Sequence, residues 1–317
     1  MQRDLSHPIV TGGAGFIGSA LCRLLLADTR VQTVTVLDKL TYAGSLDNLP
    51  DDQRIQFHKV DIADYDSLQQ SLETTTATFL FNLAAESHVD RSIASPADFI
   101  SSNIIGTANL LELCRALDLP MLQISTDEVY GSISAPALFT EESHILPSSP
   151  YSASKASADL LCHAAYLTYG QDVTITRCSN NYGSHQFPEK LIPIMVRAAL
   201  NDQPLPIYGN GTQVRDWIHC DDHCSALIAA AERGKAGEIY NIGANTELSN
   251  LAIVHRILDI LGKPHSLITH VSDRPAHDQR YAIDASKAHQ ELDWQPIKPF
   301  DIHFPEVVKE IATLAQS

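Results

Sequence analysis

Two neighbouring carboxylates, Asp127 and Glu128, end an apolar stretch in the segment ISTDEVYG (residues 124–131). Like charges repel each other, and their proximity raises the pKa of one member of the pair. One carboxyl group can then hold a proton while the other is ionised, which is what acid–base chemistry on a single substrate needs. The alternative is that the two acids cap the start of a helix, where Asp is a preferred residue.

A tyrosine and a lysine lie one helical turn apart in SSPYSASKASADLL (residues 148–161). Tyr151 and Lys155 share one face if this segment is a helix. A free phenol has a pKa of about 10, and lowering it to about 7 needs about 4 kcal/mol of differential stabilisation. The lysine cation and the positive charge of a nicotinamide ring would both favour the phenolate. We therefore expect Tyr151 to be a base with a lowered pKa, unless the pair is incidental on a surface helix.

A glycine-rich turn, TGGAGFIGS (residues 11–19), separates a short apolar stretch from a helical one. Gly12, Gly15 and Gly18 have the spacing that allows a tight turn, approach to a pyrophosphate, and close packing of helix on sheet. Asp38 ends the next predicted strand, where a carboxylate binds ribose hydroxyls and repels a 2′-phosphate. The pattern predicts NAD rather than NADP, against the alternative of an ordinary turn with a surface acid.

These residues need a scaffold, and apolar β-branched segments alternate with helical ones through the first 180 residues. The alternation predicts an α/β fold with a Rossmann-like, doubly wound parallel sheet. Predicted strands lie near 8–10, 31–38, 55–62, 77–85, 120–126 and 173–180, and predicted helices near 16–27, 64–73, 97–117 and from 151 onward. Because proline lacks the N–H that a sheet needs, we expect the first strand to run from Ile9 to Thr11, with Pro8 at its entry.

From about residue 180 the sequence is richer in Gly, Pro and Asn, with helices predicted near 190–201, 222–233 and 248–261. We expect a smaller α/β substrate-binding domain over the carboxyl ends of the strands, where open α/β sheets bind ligands. The predicted dinucleotide-binding domain comprises residues 1–178 and about 214–243. The predicted substrate-binding domain comprises residues 179–213 and 244–317.

The chain has 317 residues, of which 44% are hydrophobic, and a formal net charge of −16. This charge argues against nucleic-acid and anionic-membrane partners, which need a positive field. No stretch approaches the ~20 apolar residues of a membrane-spanning helix. The start, MQRDLSHPIV, lacks the apolar segment of a secretory signal. Six scattered cysteines are typical of a reduced protein, so we expect a cytoplasmic location.

The segment IHCDDHC (residues 218–224) is rich in potential zinc ligands. Consecutive side chains cannot all face one ion, and no second ligand pair stands at a finger-like distance. We therefore expect no metal site. We expect instead a strand that ends at Ile218 and a helix capped by Asp221 or Asp222.

The segments TGGAGFIG and YSASK together resemble the extended short-chain dehydrogenase/reductase family of nucleotide-sugar enzymes. Further segments resemble, more narrowly, the dTDP-glucose 4,6-dehydratases. They are LDKLTYAGSLDNL (37–49), NLAAESHVDRSI (82–93), STDEVYG (125–131), NNYGSHQFPEKLIP (180–193), VRDWIH (214–219) and DRPAHDQRYAID (273–284). The resemblance runs from about residue 9 to 296.

This resemblance implies an NAD-dependent lyase that removes water from a nucleoside-diphosphate hexose, with dTDP-glucose favoured. Tyr151 would take the proton of the 4-hydroxyl, and Thr126 would hydrogen-bond the same oxygen. Asp127 would protonate the departing 6-hydroxyl and Glu128 would remove the C-5 proton, before hydride returns to C-6. Only the resemblance assigns these two roles.

The resemblance also implies contacts along the cofactor and the substrate. The cofactor contacts would be Gly12, Gly15, Phe16, Ile17, Gly18, Asp38, Lys39, Leu40, Thr41, Gly44, Asp61, Ile62, Leu83, Ala84, Ala85, Tyr151, Lys155 and Asn181. The substrate contacts would be Ser87, His88, Thr126, Asn180, Glu189, Lys190, Leu191, Pro206, Tyr208, Arg215, Asn250, Arg274, His277 and Tyr281. Arg215 and Arg274 would grip the pyrophosphate as planar guanidinium groups. A homodimer through helices near 97–117 and 152–168 is implied as well.

Two features depart from the family pattern: Ala276 replaces the glycine of the usual DRPGH motif, and the segment 131–151 is shorter. The preferred nucleotide and hexose therefore stay open. The alternatives are a C-4 epimerase, a dehydratase for another nucleoside-diphosphate hexose, and an inactive NAD-binding regulator. Epimerases of this family lack the acid pair, and a regulator would be expected to lose Tyr151 or Lys155.

Overall fold

The computed structural model describes residues 3–73 and 75–316. Residues 1, 2, 74 and 317, which include the outer limits of the two predicted domains, lie outside the described residues. The strands are β1 Pro8–Thr11, β2 Val34–Asp38, β3 Ile55–Lys59, β4 Phe79–Asn82, β5 Met121–Thr126, β6 Val173–Cys178, β7 Asn180–Tyr182, β8 Leu205–Tyr208, β9 Val214–His219, β10 Ile239–Ile242, β11 Glu247–Ser249 and β12 Ile268–Val271.

The helices connect these strands and cover the sheet. They are α1 Phe16–Ala27, α2 Tyr65–Ser71, α3 Val89–Ala94, α4 Ala97–Phe99, α5 Gly106–Leu117, α6 Pro150–Tyr169, α7 Leu191–Leu200, α8 Cys220–Arg233, α9 Asn250–Leu261, α10 Ser286–Glu291 and α11 Phe300–Gln316. A π-helical segment, Ile100–Ile105, joins α4 to α5.

A seven-stranded sheet in the order β10-β6-β5-β4-β1-β2-β3 forms the centre of the fold, and all its neighbouring strands are parallel. The predicted doubly wound α/β fold is confirmed. The order reverses between β1 and β4, and open α/β sheets bind ligands at such a switch point. The first strand runs from Pro8 to Thr11, so it ends where predicted and begins one residue before the predicted Ile9, at the proline.

Helices cover both faces of this sheet, because its strands are apolar on both sides. On one face, Leu21 and Leu25 of α1 share a core with Leu227 of α8. On the other face, Leu110 of α5 and Cys162 of α6 belong to a second core. The two cores hold the strands in place, so that their carboxyl ends form a fixed edge.

A third core lies beyond the central sheet, around a three-stranded sheet β11-β9-β7 and a two-stranded sheet β12-β8. Helices α7, α9 and α11 surround it, and Tyr182 packs edge-on against both Phe300 and Phe304. The loops that lead into this region pass the carboxyl end of β6. They therefore bring a second set of side chains to the edge where β1, β4 and β5 end.

The predicted helix near 97–117 is interrupted by the π-helical segment, which widens one turn. The wider turn places buried Asn103 against the chain that follows β4. Its amide accepts from Glu86 N at 2.9 Å and donates to Glu86 O at 3.0 Å and to Ser154 Oγ at 2.8 Å. The segment thus ties α6 to a loop at the sheet edge.

In the segment 218–224, the residue that caps the helix differs from the predicted Asp221 or Asp222. Strand β9 continues to His219, and α8 begins at Cys220 rather than after an aspartate cap. The ring of His219 accepts a hydrogen bond from Asp221 N at 3.1 Å, so the histidine takes the capping role. Within the described ranges, no cluster of His, Cys, Asp and Glu is arranged to hold a metal ion.

All six cysteines lie among the described residues, and they are unpaired and buried. Within the same part of the chain, none of the helices is both long and apolar enough to cross a membrane.

Candidate active site

A cleft of about 320 Å³ opens at the carboxyl ends of β1, β2, β4, β5 and β6. It brings together most of the residues predicted from the sequence. Those that line it are Gly12, Gly15, Phe16, Ile17, Gly18, Asp38, Lys39, Thr41, Gly44, Asp61, Ile62, Leu83, Ala84, Ala85, Ser87, Thr126, Asp127, Glu128, Tyr151, Lys155, Asn180, Asn181, Glu189 and Lys190.

The register of β5 explains why the acids reach the cleft. Asn82, the last residue of β4, lies opposite Gln123, so β5 extends three residues further along β6. Thr126 ends the strand, and its hydroxyl accepts a hydrogen bond from Glu128 N at 3.3 Å, which starts a 3₁₀ turn. The acid pair therefore stands on a short turn at the end of a fully buried strand.

The two acids occupy different environments. Asp127 is 1% exposed, and among the described residues its Oδ2 has no hydrogen-bond partner. Burial first, and the Glu128 carboxylate second, raise the pKa of Asp127 well above its usual range. Proximity alone was the sequence-based argument for one raised pKa, so burial is the larger cause. Both causes favour the protonated form of Asp127.

Glu128 is half-buried and lines the cleft. Burial raises the pKa of its carboxyl group, but the cations of Arg215, Arg274 and Lys190 each lower it. On balance the pKa of Glu128 is raised, but the three cations oppose this rise, whereas the pKa of Asp127 lies well above its usual range. The structure thus separates two groups that the residue pattern left equivalent.

Tyr151 and Lys155 lie on the first turns of α6, which begins with a capping box between Ser149 and Ser152. Both side chains are buried, at 9% and 4% exposure. The ammonium group of Lys155 donates to Ile124 O at 2.7 Å, so it is bound to the backbone of β5.

The lowering of the phenol pKa, which is expected from Lys155 together with the positive charge of a nicotinamide ring, stays a prediction, because the protein residues by themselves have the opposite effect. Burial first, and then the Glu128 carboxylate, raise the pKa of Tyr151 well above its usual range, whereas a hydrogen bond with Thr126 lowers it. Burial also lowers the pKa of Lys155.

The glycine turn is shaped for a close approach of backbone to ligand. Gly12 has φ +67°, and a Cβ there would lie 2.8 Å from Ala84 N and Cα. Gly15 precedes α1 as its N-cap and has no side chain, so the start of the helix opens into the cleft. The N–H groups of a helix start bind phosphate oxygens well, and a dinucleotide pyrophosphate fits this cradle.

Asp38 ends β2 at the rim of the cleft and is half-buried. Its carboxylate accepts from Ala14 N at 3.0 Å and from Leu40 N at 2.8 Å, while burial raises its pKa. The predicted acid therefore orients the glycine turn as well as lining the cleft. Asp61 also lines the cleft and lies 3.5 Å from Lys39 Nζ.

A second group of predicted residues lies outside the lining of the cleft: Leu40, His88, Leu191, Pro206, Tyr208, Arg215, Asn250, Arg274, His277 and Tyr281. Several of them contact one another. The guanidinium of Arg215 lies 4.1 Å from the ring centre of Tyr281. Arg274 and the hydroxyl of Tyr208 both donate to Asp90, at 3.2 and 3.0 Å. Arg215, Arg274, Tyr208 and Tyr281 form a polar surface on the Glu128 side of the cleft.

Ala276 belongs to this surface and has φ +51°. The left-handed conformation that a glycine would adopt is therefore kept, although a methyl group makes it unfavourable. The substitution of the usual glycine changes the strain of the loop and leaves its left-handed geometry in place.

Sequence reasoning missed several residues of the lining: Tyr42, Glu86, Ser102, Ser125, Cys178, Ser179, Gln186 and Phe187. Four of them, Tyr42, Glu86, Ser125 and Ser179, directly adjoin predicted residues in the chain. Cys178 could have been found, because the carboxyl ends of parallel strands meet at one edge and Cys178 ends β6. Ser102 could not, because the π-helical turn that presents it has no sequence signal.

Comparison with known proteins identifies close relatives. Residues 9–311 match the family model described as GDP-mannose 4,6 dehydratase. A dTDP-glucose 4,6-dehydratase of Salmonella typhimurium is 47% identical, over 92% of this chain and 89% of the relative. A crystal structure of a dTDP-glucose 4,6-dehydratase from Streptomyces venezuelae, with NAD and TYD bound, is 44% identical and covers 96% of both chains, with a TM-score of 0.93.

A UDP-glucose 4-epimerase from Thermotoga maritima, solved with UDP-glucose, shares the fold at a lower identity. It is 27% identical, covers 97% of this chain and 99% of its own, and superposes with a TM-score of 0.91. The fold alone therefore does not separate the two reactions, and the side chains of the cleft must do so.

Proposed function

The chain belongs to the family described as GDP-mannose 4,6 dehydratase and, within it, to the dTDP-glucose 4,6-dehydratases; from this we propose that it converts dTDP-glucose to dTDP-4-keto-6-deoxyglucose with bound NAD. The observation that carries the proposal is the pair of unequal acids beside Tyr151. Burial raises the pKa of Asp127 well above its usual range, whereas the cations of Arg215, Arg274 and Lys190 oppose the rise that burial causes in the pKa of Glu128.

The cofactor fits the cradle made by Gly12, Gly15 and the start of α1, with Asp38 placed for the hydroxyls of a ribose. When bound, NAD⁺ supplies the hydride acceptor for C-4 of the sugar and later the hydride donor for C-6. A carboxylate at the end of β2 repels a 2′-phosphate, which supports NAD over NADP.

Tyr151 is the base for the first proton transfer. Its phenolic oxygen takes the proton of the 4-hydroxyl group as the C-4 hydride leaves, and Thr126 hydrogen-bonds at the same place. Lys155 positions this end of α6 by its bond to Ile124 O. Because burial raises the pKa of Tyr151, the phenolate becomes favourable only when positive charge enters the cleft.

Elimination of water uses the two acids in opposite senses. A C-5 proton becomes acidic beside a C-4 ketone, and the ionised Glu128 removes it. The electron pair forms the C-5–C-6 double bond, and the 6-hydroxyl leaves as water with the proton of Asp127. Hydride would then return to C-6, and Glu128 would return its proton to C-5. The proton that Tyr151 took from the 4-hydroxyl group would replace the one that Asp127 gave to water, so that Tyr151, both acids and the cofactor end in their starting states.

The reaction is tested by incubating the protein with dTDP-glucose and recording the product by mass spectrometry. We expect a loss of 18 Da, the mass of one water molecule, and no net change in NAD. Intact substrate in the presence of fully bound cofactor would contradict the proposal. A C-4 epimer without mass change would instead indicate epimerase chemistry, which needs no acid pair. A panel of dTDP-, UDP-, GDP- and CDP-hexoses tests the nucleotide preference.

The remaining substrate contacts are proposals that rest on position. Lys190 Nζ donates to Ser87 O at 2.9 Å, at the boundary between the cleft and the polar surface. Arg215 and Arg274 lie on the Glu128 side, where a pyrophosphate needs cations. Asn180, in the lining, is proposed to contact the sugar.

We further propose the domain division given above, a homodimer and a cytoplasmic location. The exposed side chains of Leu160 and Leu167 on α6 support a dimer contact on this face. The six unpaired cysteines support a reducing compartment.

A further inference from the structure

Four side chains connect three separate segments of the chain at the mouth of the cleft. Tyr42 follows the cofactor strand β2, Arg91 lies on α3, and Phe187 and Glu189 belong to the loop before α7. We refer to these four residues as the strap. Tyr42, Phe187 and Glu189 line the cleft, whereas Arg91 does not.

Arg91 is the central member of the strap. Its guanidinium lies 3.7 Å from the ring centre of Tyr42 and donates to Glu189 Oε2 at 2.8 Å. Phe187 contacts Tyr42 edge to face, at 5.4 Å between ring centres. One arginine thus joins the cofactor-side loop to the substrate-side loop by two different interactions.

The strap lies on the solvent side of the cleft. Half of the Arg91 side chain is exposed, whereas Glu189 is 18% exposed. Burial and the carboxylates of Glu86 and Glu189 raise the pKa of Tyr42, so its hydroxyl stays protonated. Tyr42 is therefore a neutral ring near the carboxylates of Glu86 and Glu189, and Arg91 is a cation that acts on it in the opposite sense.

We propose that Arg91 is a positioning residue, and that the strap it completes retains the bound dinucleotide throughout the catalytic cycle. The proposal rests on the proposed function, because only a reaction that returns its hydride to the sugar needs the reduced cofactor to stay. Release of NADH after C-4 oxidation would leave a keto sugar that cannot be completed. A closure held by exposed contacts still lets the cofactor exchange slowly between turnovers.

The test is the rate at which bound NAD⁺ leaves the protein. The protein is loaded with radiolabelled NAD⁺, mixed with excess unlabelled NAD⁺, and filtered at intervals, in the absence of any sugar nucleotide. The stacked cation and the exposed ion pair of Arg91 each stabilise the strap modestly. Arg91→Ala removes both, so it should accelerate release by about tenfold. Arg91→Lys keeps the charge but loses the flat stack, and should accelerate release by about threefold. Tyr42→Phe keeps the ring and should stay within about twofold of the parent protein.

Arg256→Ala is the matched control. Arg256 also lies over an aromatic ring, that of Phe300 at 5.5 Å, and pairs with a carboxylate, that of Asp301, but far from the cleft. It should leave the release rate unchanged. Equal acceleration by Arg91→Ala and Arg256→Ala would overturn the proposal, since the effect would then be general loosening.

Two further outcomes would also overturn the proposal. One is release from Arg91→Ala at the parental rate. The other is a raised KM for dTDP-glucose with unchanged NAD⁺ release, which would place Arg91 on the substrate side. Because release is measured without sugar, a protein that binds NAD⁺ and fails to dehydrate dTDP-glucose would refute the proposed function and leave this test valid. Thermal unfolding of each variant identifies any that fail to fold, and the milder Arg91→Lys then decides.

Discussion

At the scale of single residues, the acid pair consists of two neighbouring carboxyl groups in different environments. Asp127 is buried just after the end of β5, whereas Glu128 is half-buried and the cations of Arg215, Arg274 and Lys190 act to lower its pKa. The sequence shows that two acids are adjacent. It cannot show which one is enclosed, because that depends on how far β5 extends beyond β4.

The pH dependence of turnover should follow from these two environments. Glu128 must be ionised, so activity falls as pH drops through its pKa, which lies above the ordinary glutamate value. Asp127 must be protonated, so activity falls again as pH rises through its own raised pKa. We expect a bell-shaped kcat profile, measured by product mass across pH.

Asp127→Asn should remove the acid and lower kcat by about 100-fold or more, within the usual range for a lost general acid. C-4 oxidation does not need this residue, so NADH absorbance should still appear when substrate is added. A variant with near-normal dehydration would contradict the assignment of Asp127 as the acid.

Ala276 is strained, and the strain can be relieved. A non-glycine residue in the left-handed region costs about 1–2 kcal/mol, and a change to glycine would remove this cost. Part of the stabilisation is lost again, because glycine has a larger conformational entropy in the unfolded state. Ala276→Gly should therefore raise the free energy of unfolding by about 0.5–1 kcal/mol, measured by urea denaturation. Ala137→Gly, in an exposed turn without a positive φ, serves as the control and should not stabilise the protein.

At the scale of elements, most strands and helices were predictable because their apolar periodicity is strong. Helix α1 begins and ends where the sequence predicts, and β5 differs by one residue. The π-helical segment was not predictable, because ISSNII has no proline or glycine to signal a break. Its cause is tertiary: Asn103 is buried where it can bond both Glu86 and Ser154.

Asn103→Ala should show what this segment contributes. The change leaves the buried N–H and C=O of Glu86 without their partner, and each unsatisfied group costs about 1–3 kcal/mol. We expect the free energy of unfolding to fall by about 2–3 kcal/mol, measured by urea denaturation. Asn201→Ala is the control, because the Asn201 amide bonds only at an exposed helix end, and it should change stability little.

At the scale of the whole molecule, an apolar stripe on α6 faces outward. Leu160 and Leu167 are 58% and 67% exposed, and they lie seven positions apart on one face. This side is opposite to the face that carries Tyr151 into the cleft. A dimer through α6 would therefore bury the stripe without obstructing the site.

Leu160→Glu should weaken such a dimer, because it places a charge in the contact. We expect sedimentation equilibrium to give twice the chain mass of 34.7 kDa for the parent protein and a monomer for the variant. Ile302→Glu, at a similarly exposed helical position on α11, should remain dimeric. A monomeric parent protein would exclude the proposed assembly.

The whole-molecule arrangement was only partly predictable. The sheet and its switch point follow from the alternation of strands and helices. The separation of Arg215, Arg274 and Tyr281 from the main cleft does not, because it depends on how three loops of the smaller region pack together. Charge and composition argued against nucleic-acid and anionic-membrane partners, but they could not predict any contact between particular residues.

The six buried thiols make the protein a reporter of its own opening. Burial raises the pKa of Cys22, Cys114 and Cys178 to about 12 each, and an un-ionised, enclosed thiol reacts slowly with alkylating reagents. Cys22 and Cys114 lie in the two cores on opposite faces of the sheet, while Cys178 borders the cleft. Modification of the first two would record unfolding of either face. Modification of the third would record access to the cleft. One alkylating reagent and mass spectrometry can therefore follow the opening of each sheet face and of the cleft without any substitution in the chain.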